Sequence, residues 1–195
     1  MNTRTQELYA GIKGSLLDHI NYSAKVGAVQ YRDMPLFVND SIDGKTFDIV
    51  NSSSVQAFKM HGELGWTQGE DLSWNNTITI TNYTKTEGQD KPWGLTPLEI
   101  TSSLRWQLFK DFFLKGDLYG FGAAPYRSKV GTVYKDFKGQ SGVDVSAGVE
   151  FKITKALNLW LQMNNIFNNK YERWHQYPVY GFNILGGIVF SFDTK

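Results

Sequence analysis

The sequence predicts an all-β chain: an antiparallel transmembrane β-barrel segment of about nine long strands. Three observations predict it. Apolar and polar residues alternate at period 2 along almost the whole chain. The alternating stretches run to about 11 or 12 residues, the length a tilted strand needs to cross a bilayer and about twice that of an ordinary strand. Short turns and long polar loops then alternate strictly along the chain, as they do where a barrel keeps short turns on one side of the membrane and longer loops on the other.

Taken in order, the strands are expected at 6–16, 21–33, 55–67, 72–83, 98–109, 112–122, 142–153, 157–167 and 181–192. In the third, Phe58, Met60, Leu64 and Trp66 oppose Lys59, His61 and Glu63. The fifth sets Leu98, Ile100, Leu104, Trp106 and Leu108 against Glu99, Thr101, Ser103, Arg105 and Gln107. The seventh is the cleanest, with Val143, Val145, Ala147, Val149, Phe151 and Ile153 against Asp144, Ser146, Gly148, Glu150 and Lys152. In the eighth, Leu157, Leu159, Leu161 and Met163 oppose Asn158, Trp160 and Gln162. Short turns fall at Leu17–Ile20, Gln68–Asp71, Lys110–Asp111 and Thr154–Ala156, and long polar loops at Met34–Ser54, Thr84–Pro97, Ala123–Ser141 and Asn168–Tyr180.

A soluble β-barrel alternates in the same way with its faces reversed in meaning, so alternation alone does not choose between the two. Aromatic placement favours the membrane. The chain has 13 Phe, 10 Tyr and 6 Trp, and Tyr31, Trp66, Trp74, Tyr83, Phe109, Phe112, Phe121 and Tyr126 all lie near strand ends, where rings meet lipid headgroups. The outer membrane of a bacterial cell is the expected location, with its lipid as a partner.

Composition excludes other classes. The 195 residues are expected to form a single barrel segment, residues 1–195. Twenty basic and 19 acidic side chains leave a net charge of +1, and without a basic stripe no nucleic-acid partner is expected. The absence of cysteine removes disulfides, thiol catalysis and Cys-based zinc sites. The charge-free stretch Trp174–Phe192 is broken by His175, Pro178 and Asn183, so no helical membrane span is expected. The first residues, Met-Asn-Thr-Arg-Thr-Gln-Glu, contain no apolar core of a secretory signal. With nine strands the first and last run in the same direction, whereas single-chain bacterial barrels close with even numbers. The chain is therefore expected to be the C-terminal part of a longer barrel.

The stretch Leu157–Phe192 carries a resemblance. Asn165-Ile166-Phe167-Asn168 followed by Lys170-Tyr171, then Tyr177-Pro178 and Gly181, then a closing strand ending in Phe190-Ser191-Phe192, resembles the final two strands of TonB-dependent outer-membrane receptors, especially those of Bacteroidetes-type bacteria. The resemblance implies a receptor for nutrient uptake (siderophore, vitamin or glycan). It also implies that Phe190 and Phe192 form the C-terminal signal for the barrel-assembly machinery. In this sequence Asp193-Thr194-Lys195 follow that signal. The family's N-terminal plug and its energy-transducer motif are not found here, so engagement of a TonB-type transducer is expected only through an N-terminal region outside these residues. A small autonomous outer-membrane barrel with a structural or adhesive role, and a soluble ligand-binding barrel, stay open as alternatives.

No catalytic site, metal site or cofactor is expected, and no enzymatic activity. His19, His61 and His175 are scattered, no His-x-x-x-His or Asp-x-Asp-x-Asp-Gly spacing occurs, and no Gly-x-Ser-x-Gly elbow is present. The candidate functional residues are of two kinds. Lys59, Glu63, Arg105, Asp117, Glu150 and Lys152 lie on the polar faces and are expected to form a lumen-facing wall, since a charge facing mid-bilayer lipid costs about 2–4 kcal/mol. Arg173, Trp174 and His175, in the last long loop, are the candidate ligand contacts, because Arg and Trp suit anions and rings and loops on a rigid scaffold carry recognition. The plainer alternatives are a wall of mutually paired charges and a loop of interface anchors.

Overall fold

The computed structural model describes residues 3–40, 45–130 and 132–192. In chain order the strands are β1 (Arg4–Leu16), β2 (Ile20–Asn39), β3 (Phe47–Gln68), β4 (Leu72–Thr86), β5 (Leu98–Phe109), β6 (Phe112–Phe121), β7 (Pro125–Val130), β8 (Val133–Lys138), β9 (Gly142–Lys152), β10 (Leu157–Asn164), β11 (Glu172–Trp174), β12 (Tyr177–Pro178) and β13 (Asn183–Phe190). Nine of them make one antiparallel sheet in the order β1-β2-β3-β4-β5-β6-β9-β10-β13, and the pairs β7-β8 and β11-β12 stand outside it. The all-β antiparallel architecture expected from the alternation is the one observed. β1 and β13 run in the same direction, and each leaves one edge unpaired among the described residues.

Cross-strand register decides which residues share a face, because directly paired residues point to the same side. One continuous row runs Ile12, Ala24, Gly62, Ile78, Ile100, Gly120. The row beside it, on the opposite face, runs Lys13, Ser23, Glu63, Thr77, Thr101, Tyr119, Asp144. From β1 to β10 the sheet thus has one apolar and one polar face, while β13 carries Leu185 and Val189 on the polar side. The apolar face is bare: Leu8 is 81% exposed and Ile12 67%. On β3 it extends from Phe58 to Trp66, about 27 Å along the strand and about 21 Å across a sheet tilted by about 40°. Gln30 and Gln56, a register pair, bound it at one end, and the pair Trp66 and Trp74 bounds it at the other. A glutamine limit on one side and tryptophans on the other match the dimensions and chemistry of a lipid-facing band.

The long connections carry more structure than alternation predicts. Met34–Ser54 is no loop: β2 and β3 continue as a paired ribbon through Met34↔Ser52, Leu36↔Val50 and Val38↔Asp48, and only its tip, 41–44, lies outside the described residues. The cause lies in burial on both sides. Leu36 and Val38 pack with Trp93 in a buried cluster, flanked by Met34, Val50 and Leu95, while Phe37 meets Trp174 edge-on at 6.3 Å. A strand covered on both faces loses its alternation. β4 likewise runs on to Thr86, Ala123–Ser141 contains the hairpin β7-β8, and Asn168–Tyr180 contains β11-β12. The eighth strand stops at Asn164 rather than residue 167, because Asn165 turns the chain with a left-handed φ of 47°. The last strand is Asn183–Phe190, shorter than 181–192 at both ends, and Asp193-Thr194-Lys195 lie outside the described residues. The short turns fall where expected, the first with Leu17 and Asp18 both left-handed, as a tight hairpin requires.

Candidate functional site: the loop-end cleft

Among the described residues the buried side-chain cluster lies at the long-loop end of the sheet, where four segments assemble. The β2-β3 ribbon supplies Leu36 and Val38. The connection after β4 supplies Trp93, which is fully buried and capped by the Arg127 guanidinium 4.5 Å from its ring centre. The β7-β8 hairpin contributes Arg127, which pairs with Asp90 at 2.5 Å and with Asp136 at 3.0 Å, while Lys91 reaches Asp136 at 3.4 Å. Four charges therefore tie the hairpin to the preceding connection.

The hydrogen bond from Arg127, helped by the charges of Arg127 and Lys91, holds the Asp136 carboxyl below its ordinary value of 3.8. A lowered carboxylate contributes stability above its unfolded value and loses it as pH falls through the lowered folded value. The tie is therefore expected to persist unchanged from neutral pH down into the ordinary carboxylate range. A carbon-13 titration of the Asp136 carboxyl should show a midpoint below 3.8 that rises in Arg127→Ala.

Between these segments and the loop after β10 lies a cleft of about 210 Å³, walled by Phe37, Phe47, Tyr126, Arg173, Trp174 and His175 among others. The His175 ring stacks on Tyr126 with centres 4.0 Å apart, and its Nδ1 sits 3.3 Å from Glu172 Oε2. Tyr126 stacks on Phe137 at 5.2 Å, and Phe47 on Tyr177 at 5.5 Å. Flat rings with polar edges line the hollow, a lining suited to planar or ring-bearing ligands.

The loop that brings Arg173, Trp174 and His175 here is pinned at three points. Asn165, 2% exposed, donates from Nδ2 to the carbonyls of Asn169 (2.9 Å) and Tyr180 (3.0 Å) and accepts from the Asn169 amide (2.9 Å). Tyr171 donates its hydroxyl to Asp144 at 2.9 Å. Burial, reinforced by that carboxylate, pushes the phenol up to about 12, so it remains a donor throughout the physiological range. Third, Arg173 Nη2 donates to Glu99 Oε1 at 2.8 Å, the oxygen that also accepts from Tyr119 (3.3 Å) and Thr96 (3.3 Å). Gly142 makes room for this packing: a Cβ there would lie 2.6 Å from the Phe121 ring and 2.9 Å from Tyr171.

Of the residues singled out by sequence, Arg173, Trp174 and His175 come together in the cleft, where Arg173 also anchors the loop to β5. The register puts Lys59, Glu63, Arg105, Asp117, Glu150 and Lys152 on the polar face, but not in one cluster. Glu63 takes His61 at 2.8 Å, Asp117 accepts from Ser103 at 2.8 Å, and Glu150 pairs with Lys115 at 2.7 Å. Phe190 ends β13 and its ring lies 4.6 Å from that of Phe192, both largely exposed. Sequence assigned no part in this site to Phe37, Phe47, Tyr126, Tyr171, Asp144 or Glu99: the aromatic residues lie in or beside the long connections, where only their density could have signalled them, and Asp144 and Glu99 read as ordinary polar-face residues of β9 and β5. Among the described residues no three His, Asp or Glu side chains converge as a metal site.

No protein-family model and no curated protein matches the sequence. Solved structures match over 97% of the chain. The siderophore receptor PirA from Acinetobacter baumannii superposes with a TM-score of 0.77 at 14% identity, with 32% of its own chain covered. The ferripyoverdine receptor of the outer membrane of Pseudomonas aeruginosa gives 0.76 at 13% identity and 27% of its chain, and the copper transporter OprC gives 0.66 at 17% and 31%. The present chain spans about a third of the length of these proteins. Its fold is that of a stretch of barrel wall from the TonB-dependent siderophore and metal receptors, the architecture that Leu157–Phe192 resembles.

Proposed function

We propose that these residues form part of the wall of an outer-membrane receptor barrel for nutrient uptake, with the loop-end cleft contributing to capture of the nutrient. The observation that supports this most is the superposition of nearly the whole chain, loop end included, on barrels of receptors for a siderophore and for ferripyoverdine. In this reading the apolar face meets lipid and the polar face lines the lumen. Lys59, Glu63, Arg105, Asp117, Glu150 and Lys152 belong to that inner wall. The cleft binds a siderophore, vitamin or glycan through Trp174, His175 and their aromatic partners, with Arg173 holding the loop in place. Phe190 and Phe192 serve the barrel-assembly machinery, and a TonB-type transducer acts through a region outside these residues. No step of covalent chemistry is assigned to the chain.

The test is made on the native polypeptide that carries these residues, in outer-membrane fractions. It should migrate differently boiled and unboiled, the mark of a folded barrel. Cells carrying Trp174→Ala should then take up an iron-55 ferric siderophore, cobalamin or labelled oligosaccharide several-fold more slowly than wild type for one of the three. Extraction in plain buffer without detergent would overturn the barrel reading. Unchanged uptake of all three would overturn the role of the cleft.

A further inference from the structure

We propose that Arg4 and Arg32, with the hollow beneath them on the apolar face, form a site for a phosphorylated lipid. The arginines take the phosphate, and the hollow takes the first part of an acyl chain. The proposal rests on reading that face as lipid-facing. Three rungs of β1, β2 and β3 follow one another there. Arg32 pairs with Arg4, Gln30 with Gln6 and Gln56, and Ala28 with Leu8 and Phe58. Successive rungs lie about 7 Å apart along the strands. Charge, amide and hydrocarbon are thus stacked in the order in which a phosphorylated lipid presents its phosphate, its ester linkages and its tails.

Like charges directly opposed across two strands destabilise a sheet. Arg4 and Arg32 nevertheless face each other, both exposed, and among the described residues neither has a carboxylate within 4.0 Å. The acids nearby are placed otherwise. Glu7 points to the opposite face and pairs with Lys25 at 3.6 Å, and Glu87 pairs with Lys85 at 2.6 Å. Asp33, next to Arg32 in the chain, forms no ion pair with it. On a strand tilted by about 40° the arginine rung stands about 5 Å above the glutamine rung that bounds the apolar band. That height falls in the headgroup layer, about 5–8 Å deep on each side of a bilayer. Phosphate is the headgroup anion, and a guanidinium fork binds it through two parallel bonds.

Shape gives the site its second half. A hollow of about 460 Å³ lies on the two lower rungs, lined by Gln6, Leu8, Ala28, Gln30, Gln56 and Phe58 among others. Ala28 is the small residue between two large ones, so Leu8 and Phe58 wall a trough two strand spacings wide, about 10 Å. The arginines stand one rung above this trough rather than in its wall. A bare phosphate would therefore leave the trough empty. A ligand that occupies both must join an acid group to an apolar chain.

The native polypeptide that carries these residues, reconstituted into phosphatidylcholine vesicles, tests the site. The vesicles contain a trace of one of two photoactivatable lipids: a phosphatidic acid with a diazirine in one acyl chain, or the diacylglycerol with the same chains. Labelled residues are read by mass spectrometry. Ile78 and Ile100, in the middle of the apolar band, are the internal control. Relative to that control, the phosphatidic acid should label Leu8, Ala28 and Phe58 more strongly than the diacylglycerol does. The excess should fall about fivefold for each arginine removed, in Arg4→Gln, in Arg32→Gln and in the double variant. Equal labelling of the trough by the two lipids, or an excess unchanged in the double variant, would overturn the site. Labelling of neither the trough nor the control by either lipid would instead overturn the reading of this face as lipid-facing.

Discussion

Arginine at position 78 is expected to block folding into a membrane, whereas arginine at position 79 is tolerated. Ile78 sits at the middle of the apolar band, paired with Gly62 on one side and Ile100 on the other. A guanidinium facing lipid at that depth costs about 2–4 kcal/mol, or roughly 30- to 900-fold in the folding equilibrium. Thr79 is one residue further on and faces the other way, between His61 and Glu99. Replacing it removes its 2.8 Å hydrogen bond with His61 and sets a cation beside a carboxylate, a net change within about 1 kcal/mol. Folding into phospholipid vesicles, followed by heat-dependent migration and urea titration, reads both. Equal loss in the two variants would mean that the apolar face does not meet lipid, and the soluble-barrel alternative would return.

The second large effect is expected at Asn165. Leucine there must adopt a left-handed φ that suits asparagine, at a cost of about 1–2 kcal/mol, and it removes three hydrogen bonds worth about 0.5–1.5 kcal/mol each. The loop between β10 and β13 should therefore lose about 2.5–6.5 kcal/mol of local stability. Asn165→Gly keeps the backbone conformation and loses only the hydrogen bonds, so its effect should be milder. Hydrogen exchange separates the outcomes: Asn165→Leu should abolish protection of the Asn169 and Val179 amides while β9 and β10 stay protected. Retained protection in the leucine variant would show that Tyr171 and Arg173 alone hold the loop.

Much of the sheet was legible because its strands, β13 apart, keep one bare apolar face and one polar face, which is what period 2 reports. All nine sheet strands and all four short turns fall close to where alternation puts them. The loop end was illegible for the opposite reason. Met34-Pro35-Leu36-Phe37-Val38 is apolar without interruption because Trp93 covers one side and Trp174 the other. On β3 nearby, Asn51-Ser52-Ser53-Ser54 is polar and looks like a loop, yet Ser52 pairs with Met34, is buried and is bonded to the Glu87 carbonyl at 2.7 Å. The Asn165-Ile166-Phe167-Asn168 element looks like the end of a strand and is a turn, because the asparagine side chain supplies the hydrogen bonds that a ladder would have given.

Arg173, Trp174 and His175 could be picked out by residue type, since Arg and aromatic side chains in a long loop are recognisable candidates. Their surroundings could not. Phe37, Tyr126 and Trp174 come from three connections far apart in the chain, and only the register of the intervening strands brings them together. The charged wall divides in the same way. Its facing follows from parity along each strand, but which charges pair depends on the neighbouring strand, so the pairing of Glu150 with Lys115 could not be read from either strand alone.

The contact between Arg173 and Glu99 joins residues 74 apart in sequence. In an unassembled chain, closing so long a loop for one ion pair is entropically unfavourable, whereas each hairpin closes over a few residues. Once β5, β6, β9 and β10 are in register, the same two side chains are held near each other and the closure cost has been met by the sheet. The cleft is therefore among the last parts of the chain to take shape. A nascent or misregistered wall presents no assembled aromatic pocket, and the appearance of that pocket reports that four successive strand pairings, from β5 to β13, are correct.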